Sequence, residues 1–251
     1  LFDTARAADP QAVAALRAKF STQVSGLDDQ DQAALDRSLR LRLALEALKQ
    51  GGAYDGFAIR CWPETFTEYG GAVCGPVGMM GEGRAPCACE ADVYGALSLL
   101  MLQAVADAPA FLADVVDMDA ASDTGVVWHC GQAPISMADA AYQPEAAIHS
   151  NRRLPLLYQF PLKPGRVTLA RISQAQGKVA MVLASGEAVK APPAFSGTSG
   201  TIRFDRPAPL VAERLVAGGI EHHLGLVYGD HAPTLHAIAA DLGLPVLDLT
   251  A

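Results

Sequence analysis

The segment Cys87–Gly95 constrains the chain most, because it places two carboxylates, Glu90 and Asp92, just before the apolar run Ala96–Val105. The run is rich in Leu and Met and predicts a buried helix. Acidic side chains are rarely buried unless they are paired, protonated or bound to a cation. We therefore expect the first turn of this helix to carry acid groups toward a site, with Gly95 allowing close approach of another segment. The alternative is that Asp92 only complements the helix dipole and that Glu90 is a solvated loop residue.

The composition indicates a folded protein with a sizeable core. Of the 251 residues, 51% are hydrophobic and 18% are charged, which is not the composition of a disordered chain. The formal net charge of -8 offers no basic stripe to neutralise phosphates, so we expect no nucleic-acid partner. The run Ala96–Val105 is soon followed by Asp107 and Pro109 and is too short for a membrane span. Residues Leu1–Arg6 do not resemble a signal peptide, and we expect a soluble, cytoplasmic protein.

Five cysteines occupy positions 61, 74, 87, 89 and 130, an odd number in a chain too long for a small disulfide scaffold. We expect reduced thiols. A zinc site formed by Cys87 and Cys89 with Cys61 and Cys74 is the alternative. Its spacing differs from the two to four residues that usually separate paired zinc ligands, and no second pair follows.

The first half of the chain alternates helix and strand patterns, which predicts an α/β layer. Apolar residues recur at helical spacing between Pro10 and Gln50 and indicate two amphipathic helices, the second ended by Gly51-Gly52. The run Gly56–Trp62 predicts a short strand. The Gly-rich segment Glu68–Pro86 predicts a loop with about one turn of helix at most.

The second half is richer in strand patterns, at Phe111–Asp119, Gly125–Gly131, Arg166–Ile172, Lys178–Ala184 and Gly200–Phe204. The last three are separated by turn residues and favour an antiparallel sheet or a small β-barrel. An apolar strand follows the pair His222-His223, and a helix is predicted from Thr234 to Leu242. We therefore expect an α/β, helix-rich domain at 1–107 and a β-rich C-terminal domain at 108–251.

Acidic and imidazole side chains stand at the ends of several predicted elements. Glu90, Asp114, His129 and either His222 or His223 offer carboxylate oxygens and ring nitrogens, which suit Mn²⁺ or a similar first-row divalent ion. Each residue has a simpler explanation: Asp114 could end a turn, and His129 could be a hydrogen-bonded core histidine. These residues predict a metal site only if the fold brings them together.

An ordered series of six short blocks resembles the L-fucose isomerase family, and more distantly L-arabinose isomerase. The resemblance covers roughly residues 55 to 250. The blocks are Cys61–Glu64, Cys89–Asp92, Phe111–Asp114, His129–Gly131, Pro164–Arg171, and His222-His223 with Gly229-Asp230. No single block is specific for the family, but the order of all six blocks along the chain is.

The resemblance implies a metal-dependent aldose-ketose isomerase acting on a sugar or sugar derivative through a cis-enediol. By position, Glu90 and Asp114 match the two carboxylates that hold Mn²⁺ or another divalent ion and also move protons. The histidine ligand matches His223 better than His222. This family forms closed symmetric assemblies, so the resemblance also implies a homo-oligomer.

Further residues are candidates for contacts with the sugar. Arg60, Trp62 and Glu64 follow the predicted strand and could bind hydroxyls or stack on the sugar face, although Trp62 could equally be a core residue. His129 and His222 are the remaining candidates for substrate binding.

Departures from the family pattern keep other functions open. Relatives usually carry an additional N-terminal α/β domain, which we expect to be absent from this chain, and differences outside the blocks favour a different sugar or sugar derivative. One alternative is other enediolate chemistry on the same scaffold, such as that of an epimerase or a lyase. The other is a non-catalytic sugar-binding or assembly module.

Overall fold

Helices form the N-terminal part of the chain, as the spacing of apolar residues predicts. A computed structural model describes residues 1–251 and places here the helices α1 (Phe2–Arg6), α2 (Pro10–Phe20) and α3 (Gln32–Gly52). The side chains of Asp9 and Asp31 cap α2 and α3 by accepting hydrogen bonds from backbone amides of their first turns. Helix α3 ends at Gly52, as the Gly51-Gly52 pair predicts.

The prediction of a loop at Glu68–Pro86 is wrong, because most of this segment is helical. A π-helical turn spans Thr65–Tyr69, and the nine-residue helix α4 spans Cys74–Glu82. Its glycines, which normally disfavour a helix, let it lie directly against other chain segments. A Cβ on Gly78 would lie 2.7 Å from Tyr158 Cε2 and 3.1 Å from two backbone oxygens. The helix therefore depends on tertiary packing and not on local propensity.

Replacing Gly78 with Ala is expected to lower the free energy of unfolding by about 1–3 kcal/mol, because the new methyl group overpacks the contact with Tyr158. Gly81 is the matched control in the same helix, since its Cβ would meet Pro134 Cγ at an ordinary 3.5 Å. Gly81→Ala should be neutral or stabilise by up to about 1 kcal/mol. Urea unfolding midpoints measure both changes, and equal shifts in the two variants would contradict the packing argument.

The predicted strand Gly56–Trp62 is reduced to two residues. Strand β1 (Phe57–Ala58) pairs in parallel with β2 (Cys87–Ala88). The pairing stops there because the chain turns after β2, where Glu90 and Ala91 both have positive φ. Helix α5 (Val93–Ala106) follows, in agreement with the predicted buried helix.

The second half is built on one mixed sheet of nine strands, which confirms the α/β class and the antiparallel strands in coarse terms. The strands are β3 (Phe111–Asp119), β4 (Thr124–His129), β5 (Glu145–Ala147), β6 (Leu157–Pro161), β7 (Gly165–Ser173), β8 (Ala180–Val189), β9 (Thr198–Phe204), β10 (His223–Tyr228) and β11 (Val246–Asp248). Their order is β11-β8-β7-β10-β3-β4-β9-β6-β5, with a further pairing of β8 and β9. The sheet is therefore larger than the predicted antiparallel sheet or small β-barrel, and it includes the parallel pairs β11–β8 and β6–β9. Strand β4 ends on His129, as predicted.

Three helices accompany the sheet: α5, α6 (Ala208–Gly218) and α7 (Ala232–Asp241). Helix α5 packs on β10 and β7, and the close approach requires Gly225, whose Cβ would lie 2.6 Å from Leu102 Cδ1. This packing holds the start of α5 beside the start of β10. None of the helices combines the length and apolar character needed to cross a membrane. The boundary at residue 107 stays a prediction.

Candidate active site

The structure brings together the acidic and imidazole residues that the sequence singles out. His223 Nε2 lies 3.2 Å from Asp114 Oδ1 and 4.0 Å from Glu90 Oε2. His222 Nε2 lies 3.7 Å from the same Asp114 oxygen and 3.5 Å from the same Glu90 oxygen. The His129 ring stacks on that of His223, with 5.4 Å between ring centroids. All five side chains therefore form one cluster.

Strand register explains how distant residues form this cluster. Strands β3 and β10 are antiparallel neighbours, and Asp114 is the direct partner of His223. His129 ends β4, on the other side of β3. Glu90 lies in the turn before α5 with φ of 61°, a conformation that non-glycine residues rarely adopt. Its amide contacts Cys61 Sγ at 3.4 Å, so the turn that orients Glu90 is held by the neighbouring strand segment.

Three polar atoms in the cluster are buried and have no hydrogen-bond partner: Asp114 Oδ1, His129 Nε2 and His223 Nε2. Leaving such atoms unsatisfied costs free energy, so these three atoms are available to bind an ion or a substrate. First-row divalent ions bind carboxylate oxygens and imidazole nitrogens at about 2.0–2.2 Å, which puts neighbouring ligand atoms roughly 3 Å apart. The measured separations, beginning at 3.2 Å, are close to this value. The donor set thus fits a divalent ion.

Asp92 fixes the orientation of His223, a role that the sequence analysis did not find. His223 Nδ1 lies 2.9 Å from Asp92 Oδ2, which leaves Nε2 unprotonated and directed at Asp114 when the ring is neutral. Asp92 also caps α5 through the amide of Gly95 and accepts two hydrogen bonds from Arg171, at 2.6 and 3.0 Å. The sequence signal is Arg171 itself, a charged residue between the apolar residues Ala170 and Ile172 near the end of a predicted strand.

The hydrogen bonds around Asp92 keep it ionised. Burial by itself would raise the pKa of the Asp92 carboxyl, but the hydrogen bonds from His223, Arg171 and Gly95 together hold that pKa well below its usual value. Arg171 is almost fully buried, and its Nε lies 3.3 Å from Glu221 Oε2. The carboxylates of Asp92 and Glu221 therefore neutralise the buried guanidinium. Through its hydrogen bond to Asp92, the His223 imidazole is connected to this group of charges.

A cavity of about 620 Å³ opens beside the cluster and is large enough for a sugar. Of the predicted substrate-binding residues, Arg60, Trp62 and His129 line it. Trp62 is not a core residue, since 45% of its surface is exposed. Glu64 does not line the cavity but forms an ion pair with Arg60 at 2.6 Å. His222 is largely exposed next to the carboxylates.

Part of the cavity wall was not predicted. Phe66, Trp128 and the turn residues His149, Ser150 and Asn151 all line it. The turn is part of an irregular connection without periodicity, so no local pattern marks it. Among these residues, only Trp128 could have been predicted to line the cavity, because it is aromatic and adjacent to His129.

All five cysteines are free, in agreement with the expectation of reduced thiols. The structure does not support the zinc alternative, because the cysteines that could share an ion are Cys74 and Cys130, with 3.4 Å between the sulfurs, and no such group includes Cys87 or Cys89. His149 is near this pair, but its Nδ1 already accepts from the amides of Asn151 and Arg152.

Comparison with known proteins identifies the relatives of this chain. Residues 127–250 match the family model described as L-fucose isomerase, C-terminal domain. The sulfoquinovose isomerase of Alkalicoccus urumqiensis is 32% identical over 224 residues, which are 89% of this chain and 51% of that protein. The sulfoquinovose isomerase of Clostridium sp. (strain MSTE9) is 32% identical over 223 residues, 88% of this chain and 50% of that protein.

A third sulfoquinovose isomerase, that of Priestia aryabhattai, is 31% identical over 209 residues, 83% of this chain and 47% of that protein. The chain spans about half the length of the curated relatives it matches. The family model accounts for its second half, and the relatives extend the similarity across most of the first. The chain thus belongs to the L-fucose isomerase family, whose C-terminal domain it carries over residues 127–250.

Proposed function

We propose that this protein is a metal-dependent aldose-ketose isomerase that acts on a sulfonated sugar through a cis-enediol. The observation that carries the proposal is the cluster in which buried, unpartnered atoms of Asp114 and His223 face each other beside Glu90. The substrate class follows from the relatives, which are named sulfoquinovose isomerases. Sulfoquinovose is a hexose derivative with a sulfonate in place of the C6 hydroxyl group.

Glu90, Asp114 and His223 would hold Mn²⁺ or another first-row divalent ion. When bound, the ion would act as a Lewis acid toward the sugar oxygens. Asp92 would keep His223 in the tautomer that leaves Nε2 free to ligate. His222 and His129 would stand beside the ligands and contact the substrate.

The two carboxylates would also move the proton between the reacting carbons. An aldose becomes a ketose when a proton leaves C2 and a proton is added to C1, so a base and an acid are needed at adjacent carbons. Glu90 and Asp114 are close enough for this task, because one nitrogen of His222 lies within 3.7 Å of both. Glu90 is half exposed and Asp114 is mostly buried, which gives the two carboxyl groups different surroundings.

The cavity wall would bind the remainder of the sugar. Trp62 and Phe66 present edge-to-face rings on the cavity surface, where they can pack on the apolar face of a sugar. Arg60, held by Glu64, would donate hydrogen bonds to hydroxyl groups. These residues would position the substrate without taking part in the proton transfer.

We also infer a cytoplasmic homo-oligomer with the two domains predicted at 1–107 and 108–251. Five free cysteines are typical of a reducing compartment. The apolar side chains of Val116 and Phe195 are exposed near the cavity. Burying them against a second subunit would stabilise an oligomer.

Incubating the purified protein with Mn²⁺ and sulfoquinovose in D₂O tests this function. We expect the ketose product and deuterium at the exchanging carbon, both detected by NMR. A metal-free sample treated with chelator is the control and should show neither signal. Deuterium exchange with an epimer as the only product would indicate an epimerase, and the absence of both product and exchange with Mn²⁺ would rule out isomerase activity on this substrate.

A further inference from the structure

A guanidinium without an ionic partner, that of Arg152, lies next to two residues that line the cavity, Trp62 and Asn151. Arg152 places its Cζ over the ring of Trp62, and Trp62 lines the cavity. The Nε of Arg152 is buried and has no hydrogen-bond partner. Arg60, the other cation at this wall, is different because Glu64 neutralises it at 2.6 Å. Arg152 is thus the cation with unused hydrogen-bonding capacity next to the cavity.

The turn that carries Arg152 is held in place by its own hydrogen bonds. The amides of Asn151 and Arg152 lie 3.3 and 3.4 Å from His149 Nδ1, and the amide of Arg153 donates to the His149 carbonyl oxygen at 2.8 Å. The His149 ring also packs edge-to-face on Phe66, with 5.0 Å between centroids. The turn therefore presents the polar side chains of Ser150 and Asn151 to the cavity from a fixed position.

The charges around the cavity are unevenly distributed. Glu90 and Asp114 form an acidic end, where a sulfonate would be repelled. In a hexose derivative, C6 is about 6 Å from C1 along an extended carbon chain of single bonds of ~1.5 Å, and the sulfonate is one bond further away. A sulfonated substrate with C1 and C2 at the carboxylates therefore needs its anion bound on another part of the wall. The turn at residues 149–152 supplies that part.

We propose that Arg152, with the side chains of Ser150 and Asn151, forms the subsite that binds the sulfonate of the substrate. This inference rests on the proposed function. A planar guanidinium can donate two parallel hydrogen bonds to sulfonate oxygens, and the hydroxyl and amide groups supply further donors. Trp62 keeps the guanidinium flat against the cavity wall. Arg152 would thus determine the preference for sulfonated over neutral sugars.

The test compares Arg152→Met with Arg153→Met, a matched control because Arg153 is the exposed neighbour in the same turn and does not stack on Trp62. Binding of sulfoquinovose and of glucose is measured by isothermal titration calorimetry, and kcat/KM is measured for both sugars. We expect Arg152→Met to weaken sulfoquinovose binding by about 10- to 100-fold, as for the loss of a charged hydrogen bond. Glucose binding should change little, and Arg153→Met should behave like the wild type.

Arg152→Lys serves as a second variant that keeps the charge and loses the planar fork. It should recover part of the affinity for sulfoquinovose. Equal losses for both sugars, equal losses in both methionine variants, or a wild type that binds glucose as well as sulfoquinovose would each overturn the subsite. If sulfoquinovose binding depends on Arg152 but no sugar is turned over, the subsite stands and the isomerase function fails.

Discussion

Replacing Asp114 with Asn is expected to lower kcat by about 10³-fold or more. Removal of a positioned acid or base typically costs 10²- to 10⁴-fold in rate, and an amide here is also a poor ligand for a divalent ion. Glu90→Gln should cause a loss of similar size. Each variant replaces a carboxylate with a carboxamide of nearly the same shape, so the sheet and the turn before α5 should be preserved.

The measurement is kcat for sulfoquinovose at saturating Mn²⁺, with circular dichroism to confirm that the variants fold. Asp117→Asn is the matched control, because Asp117 lies on the same strand as Asp114 but is exposed and far from the histidines in register. It should retain wild-type turnover. If Glu90→Gln or Asp114→Asn kept full turnover, the proton-transfer roles assigned to these carboxylates would be wrong.

Local patterns in the sequence were sufficient to predict the elements that carry the site. Strands β3 and β4 and helix α5 all have clear apolar patterns. Asp114 lies within β3, His129 ends β4 and Glu90 lies just before α5. The sequence could not reveal that β10 pairs with β3 so that His223 faces Asp114. That register depends on long-range packing, and a shift of one residue would have turned every side chain to the opposite face. The resemblance to a known family, and not the local patterns, predicted that Glu90, Asp114 and His223 belong to one site.

The conformations of helix α4 and of the turn at residues 149–152 could not be predicted from local sequence patterns. The glycines of α4 disfavour a helix in isolation, and they are tolerated because Gly75 and Gly78 pack against Leu156 and Tyr158. The turn has no periodicity at all, and its place in the cavity wall depends on contacts with Phe66 and Trp62. In both cases tertiary contacts decide the conformation, so a single sequence contains no local signal for it.

From the sequence, Asp92 is expected only as a first-turn charge or as a member of the acidic segment. The structure gives it both a capping role and a contact with His223. A carboxylate can serve two donors at once because it has two oxygens with several acceptor positions. The sequence indicates an acidic residue at the start of the helix but no cap, and the contact with His223 joins residues that are far apart in the chain.

Replacing His223 with Ala is expected to weaken Mn²⁺ binding by at least about 100-fold, whereas His222→Ala should weaken it by less than about 10-fold. The difference follows from their surroundings. The His223 ring is buried, its Nδ1 is bound by Asp92, and its Nε2 has no partner. The His222 side chain is 62% exposed and has no comparable anchor. Removing the outer hydrogen bond with Asp92→Asn should cost about 10- to 100-fold, the usual effect of losing the group that orients a ligand.

Calorimetric titration of chelator-treated protein with Mn²⁺ gives these affinities without requiring turnover. His236→Ala is the control histidine variant, because His236 pairs with Asp248 away from the cluster, and its Mn²⁺ affinity should match the wild type. Stronger loss in His222→Ala than in His223→Ala would reverse the choice of ligand. Unchanged affinity in Asp92→Asn would mean that packing alone orients the His223 ring, since the carboxamide would then replace a carboxylate without consequence for the metal.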